Sequence, residues 1–219
     1  MEVSVNNIEL SYTQSGSGHP FILLHGNGED RHIFDKLVQR LEQHYTVYAI
    51  DSRNHGESSL TDDYSYQTMA EDIYLFVEQL QLNGAYILGF SDGAIIALTL
   101  ELAHPKTFAK MALLGMNLKP SDFKEENLAY LKEEYAKTHD KLLKLMLEEP
   151  NIELEELRKV QIPALVIAAE YDLYHAGLYT NIVKEFAAAA YVEMKGHDHG
   201  SYVIGQDILY PIILEHFAE

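Results

Sequence analysis

Apolar runs of four to eight residues alternate with helical patterns along most of the chain. The runs are 45–50 (YTVYAI), 85–90 (AYILGF), 108–115 (FAKMALLG), 163–169 (PALVIAA) and 189–194 (AAYVEM). Near-continuous hydrophobicity marks strands buried on both faces, and the helical spacers between them predict a parallel sheet covered on both sides. The first 25 residues differ, reading as two short strands around an Asn6–Asn7 turn, a loop SGSGHP and the run FILLHG. Among the spacers, 64–80 places Met69, Ile73, Phe76, Val77 and Leu80 on one helical stripe.

From Leu118 to about Lys159 the rhythm stops and no strand is predicted. Asp122 with Glu125 predicts a capping box opening a helix through Tyr135, and Asp140 starts a second helix that stops before Pro150. Tyr130, Tyr135 and the leucines of LLKLML are expected to pack these helices onto the body. The reading is one domain over 1–219 with a reduced helical cap, 118–160, inserted as a lid or side wall.

Composition narrows the function. With 34 acidic against 16 basic residues the formal charge is −18, which argues against nucleic-acid binding and against an anionic membrane surface. Neutral or cationic substrates are easier to accommodate than polyanions. There is no cysteine, so disulfides, thiolate metal sites and a cysteine nucleophile are excluded. The N-terminal stretch lacks a basic segment followed by an apolar one, and no apolar run approaches a membrane span, so a cytoplasmic setting is expected.

The candidate chemistry centres on Gly89-Phe90-Ser91-Asp92-Gly93, a G-x-S-x-G between a predicted strand and a predicted helix. A strand turning sharply into a helix leaves the central serine strained and outward, with small residues required on either side. It also sets Ser91 at a helix N-terminus, where free N–H groups favour negative charge. Serine needs a histidine to take its proton and a carboxylate to orient that histidine. The order Ser…Asp…His points to the C-terminal third. There Asp172 follows the run PALVIAA, and His197 and His199 follow AAYVEM. Loops past the C-terminal ends of parallel strands share one edge, so these residues converge. The loop Leu23–Asp30 (LLHGNGED) is open to two readings, a turn around a buried His25 or a donor loop facing the serine. Asp51–Ser59 (DSRNHGESS) reads as a loop tied together by its own polar groups. Tyr174 and Tyr202 flank the acid and base and are expected to line the pocket.

At these residues the chain resembles the α/β-hydrolase fold superfamily over nearly its whole length, in the manner of its small bacterial serine esterases. The elbow, LLHGNG, DSRNHGESS and LRKVQIPALVIAAEYD carry the resemblance. It implies a mostly parallel central sheet with helices on both faces, Ser91 as nucleophile, Asp172 as orienting acid and His199 as base, with His197 as the alternate. It further implies that the backbone N–H groups of Asn27 and Asp92 form the oxyanion hole. Ala169, where the family often has glycine, and the lack of proline after Asp172 depart from the pattern and bear on the loop's shape. The short cap implies an open acyl pocket. The implied reaction is hydrolysis of a small or medium carboxylic ester through an acyl-enzyme. Amide, thioester or carbon–carbon hydrolysis would use the same parts, and a ligand-binding or signalling protein with slow turnover is the alternative of a different class. No cofactor is expected. A cation held by His197, His199, Asp172 and His175 finds no supporting cluster, so no metal is expected either.

Overall fold

The computed structural model describes residues 1–218. All the apolar runs become strands: β1 (Glu2–Val5), β2 (Ile8–Gly16), β3 (His19–Leu24), β4 (Tyr45–Ile50), β5 (Ala85–Phe90), β6 (Phe108–Leu114), β7 (Ala164–Tyr171) and β8 (Ala189–Asp198). They form one sheet in the order β1-β2-β4-β3-β5-β6-β7-β8. The β1–β2 and β2–β4 pairs are antiparallel, and every pair from β4–β3 to β7–β8 is parallel.

Side chains of a strand alternate between faces, so an unbroken apolar run feeds two cores. Ile22, Ile87, Leu113 and Val166 enter one core; their neighbours Leu23, Leu88, Leu114 and Ile167 enter the other. The first core is closed by α2 (Tyr66–Gln79) and α3 (Asp92–Ala103), the second by α1 (Asp35–Leu41) and α7 (Tyr210–Phe217). Each fully buried leucine or isoleucine contributes about 1.5–3 kcal/mol. In α2 the stripe Met69, Ile73, Phe76 and Val77 is buried, and Ser65 caps the helix by accepting from the Thr68 N–H.

Between β6 and β7 lie α4 (Glu125–Thr138) and α5 (Lys141–Glu148). Asp140 caps α5 as expected, accepting from the Leu142 N–H at 2.8 Å. The expected capping box at α4 does not form. The Asp122 carboxylate turns back to the Leu118 and Lys119 N–H groups, both at 2.8 Å, and Lys124 occupies the N-cap position. Tyr130 also departs from expectation. It is 62% exposed, and the helices bury Leu131 and Leu145 instead. Beyond β7, α6 (Leu178–Glu185) packs behind β8. Among the described residues no helix is long and apolar enough to cross a membrane.

Candidate active site

The elbow between β5 and α3 holds Ser91 at φ 51° and ψ −115°, a conformation that costs an L-residue roughly 1–3 kcal/mol. The surroundings enforce it. The Ser91 N–H donates to the Leu114 carbonyl at 2.7 Å, while its own carbonyl accepts from Ala94 and Ile95. A Cβ on Gly89 would overlap the Gly93 carbonyl, and one on Gly93 would overlap the Leu24 carbonyl at the end of β3. Gly89 is therefore required by the elbow itself, and Gly93 by the neighbouring strand.

The loops after β7 and β8 bring the other two groups to Ser91. His199 Nε2 lies 3.1 Å from Ser91 Oγ, and His199 Nδ1 lies 2.7 Å from Asp172 Oδ1. Asp172 Oδ1 also accepts from the Leu173 N–H at 2.7 Å, and Oδ2 accepts from the Ala169 N–H and the Tyr179 hydroxyl. Burial would raise this carboxyl, but His199 and the backbone donors outweigh it and hold Asp172 below the usual carboxylate range. A carboxylate on Nδ1 leaves Nε2 free to accept the serine proton. His197 turns away and pairs with the Ser201 hydroxyl at 3.1 Å.

The loop after β3 forms the opposite wall. His25 is buried, with Nδ1 toward the Gly26 carbonyl and Nε2 accepting the Ser52 N–H. Burial pushes its pKa down to about 4, so the ring is a neutral staple. From the next loop, His55 accepts the Gly28 N–H at 3.0 Å. That loop is tied together by Arg31 with Asp51 and Glu57, and by Arg53 on the buried Asp72. The backbone N–H groups of Asn27 and Asp92 have no partner among the described residues. The Asn27 amide donates to Asp92 Oδ2 at 2.9 Å and to the Leu142 carbonyl of α5 at 3.3 Å, joining this loop, the elbow and the insertion. Burial raises the Asp92 carboxyl against the Asn27 and Tyr66 hydrogen bonds.

Several contributing residues carry no motif. Tyr179 donates to the acid from α6, and Lys124 and Asn127 of the insertion donate to the Asp172 and Leu173 carbonyls. Gly115, after β6, has φ +58°, and a Cβ there would stand 2.9 Å from His199 Cε1. Only its glycine after an apolar run could have flagged it. Glu29, whose Oε2 accepts the Gly26 N–H at 3.0 Å, lines the cavity with Ser91 and His199. Tyr174 and Tyr202 do not line it. Tyr174 is buried edge-on to the His199 ring with centroids 5.7 Å apart, and Tyr202 is wholly buried in the second core. The cavity measures about 250 Å³ and is walled by Phe90, Met146, Leu173 and Ile204. No cluster of three metal-ligating side chains occurs among the described residues.

Comparisons with known proteins agree with this architecture. Over 107 residues the chain is 32% identical to an uncharacterised hydrolase of Bacillus subtilis, YraK, covering 48% of this chain and 40% of that one. Over 119 residues it is 30% identical to the sn-1-specific diacylglycerol lipase ABHD11 of Xenopus laevis, covering 52% and 38%. The matched stretches are thus well under half the length of these curated relatives. The enol-lactonase of Burkholderia xenovorans LB400 superposes over 100% of both chains with a TM-score of 0.83 at 20% identity, a likeness of fold. The sequence profile of the alpha/beta hydrolase fold matches residues 19–137, more than half of the chain. With its sheet order, elbow and loops as described, the chain belongs to the alpha/beta hydrolase fold family.

Proposed function

We propose that the protein is a serine hydrolase that cleaves a small or medium carboxylic ester through an acyl-enzyme. The observation that carries this is the relay Asp172–His199–Ser91, with links of 2.7 and 3.1 Å, whose serine and histidine line one cavity. In the proposed cycle Ser91 Oγ attacks the ester carbonyl carbon as His199 Nε2 takes its proton. The imidazolium then returns that proton to the departing alcohol. Water repeats the sequence on the acyl-enzyme and releases the acid. The free N–H groups of Asn27 and Asp92 would hold the tetrahedral oxyanion, worth about 2.7–4 kcal/mol per donor. We read 1–219 as one hydrolase domain working in the cytoplasm, with 118–160 as a reduced cap. Met146 on the cavity wall and the Asn27–Leu142 hydrogen bond support the cap reading.

The test is a panel of p-nitrophenyl esters of increasing acyl length, run with Ser91→Ala as control. A wild-type rate that declines as the acyl chain outgrows the small cavity, and collapses in S91A, is expected. Equal rates for the two proteins would refute the assignment and favour a ligand-binding role.

A further inference from the structure

Glu29 is the one acidic side chain lining the cavity, and no lysine or arginine lines it. An ideal Cβ on Gly26 would stand 2.8 Å from Glu29 Oε2 and 3.1 Å from Ser91 Cβ, so carboxylate and nucleophile flank the same point. The other walls are Phe90, Met146, Leu173 and Ile204. Among the described residues the Glu29 carboxylate has one hydrogen bond, the Gly26 N–H on Oε2, and Oε1 has no partner. The charged or titratable groups facing it are His199, Asp92 and Asp30, of which two are acids. A half-buried carboxylate without a cationic partner is costly to fold around. A loop staple alone would not need the charge, since an amide oxygen accepts the same N–H.

We propose that Glu29 sets the specificity of the cavity, favouring esters that present a cationic group to the wall after β3 and rejecting anionic ones. The inference rests on the serine-hydrolase reading above. A cation at Oε1 would complete the missing ion pair, with its alkyl part against the apolar walls. A sulfonate or carboxylate there would meet Glu29 with Asp30 and Asp92 behind it. The chain's net charge of −18 acts in the same direction at longer range.

The test compares isosteric esters at pH 8. In one series, p-nitrophenyl butanoates carry a trimethylammonio, tert-butyl or sulfonate group at C4. In the other, a choline ester and its 3,3-dimethylbutyl analogue place the difference on the alcohol side. In at least one series, wild type is expected to favour the cation over the neutral isostere by about tenfold or more in kcat/KM. Where that holds on the acyl side, the sulfonate should be disfavoured by a similar factor. Glu29→Gln, which keeps an acceptor for Gly26, is expected to collapse the ratios to within about threefold. Glu126→Gln, which removes the same charge from the exposed face of α4, should retain them. Each ratio is internal to one protein, so a change in folded fraction cancels. Ratios unchanged by E29Q in both series overturn the inference and leave the hydrolase reading standing. No ester cleaved faster by wild type than by S91A removes the hydrolase reading, and the selectivity with it.

Discussion

The loop after β7 surrounds the Asp172 carboxylate with two backbone N–H groups, a tyrosine hydroxyl and the His199 ring. The loop after β3 gives the Glu29 carboxylate one N–H, and two further acids lie near it, Asp30 of the same loop and Asp92 of the elbow. The first carboxyl is held below its ordinary range despite burial, and the second is raised by burial. Donors, not depth, separate the two: burial opposes ionisation in both, and only Asp172 has enough partners to overcome it. One carboxylate is positioned to serve the protein's own histidine, and the other is left open to the cavity.

The strongest way to break this contrast is to neutralise the well-partnered acid. Asp172→Asn is expected to lower kcat by about 10⁴ at neutral pH, because an amide can donate to Nδ1 and present the wrong tautomer. A loss below tenfold in steady-state ester hydrolysis would show that Asp172 does not orient His199.

The wall after β3 has its own dependence, through His25. Its folded pKa of about 4 lies below the unfolded value near 6.5. The unfolded chain therefore binds the proton first as pH falls. The full contribution is present above pH 6.5 and is lost as pH drops toward 4, amounting to about 3 kcal/mol. An NMR titration of the His25 ring should give a midpoint near 4, and one near 6.5 would contradict the neutral staple.

Gly115→Ala tests the packing behind the histidine. The added methyl must form at φ +58° and displace His199 Cε1. About a hundredfold loss of kcat is expected, as for a misplaced catalytic group, with KM less affected. The smallest effect belongs to Tyr179→Phe, which removes one of the donors on Asp172. A fall of a few-fold in kcat is expected, with the acid limb of the pH–rate profile moved upward, since the carboxylate loses a hydrogen bond that favours its charged form. An unchanged acid limb would mean that Tyr179 only packs.

The strands were readable because burial on both faces leaves an unbroken apolar run, and each such run became a strand of the sheet. The elbow was readable because steric crowding admits few residues at Gly89 and Gly93. The helix starts were less so. Asp140 caps as expected and Ser65 caps α2, whose helical pattern was read from residue 64, while the Asp122 carboxylate accepts from Leu118 and Lys119 because the chain turns back on itself there. An aromatic in a helical pattern also misled. Tyr130 faces outward because its neighbour Leu131, about 100° round the helix, takes the packed side.

By itself the sequence determined the strand and helix succession, the strained serine and the edge on which acid and histidine arrive, since periodicity, glycine and chain order are local properties. Three-dimensional packing decided what local properties cannot encode. It set His199 rather than His197 against Ser91, recruited Tyr179 and Gly115 from elements without a motif, and turned Glu29 into the cavity with a single donor. The two histidines lie two residues apart, His197 at the end of β8 and His199 just past it. Which one meets the serine depends on the turn after β8 and on the space left by Gly115, distances of a few ångströms set by contacts between segments far apart in the chain.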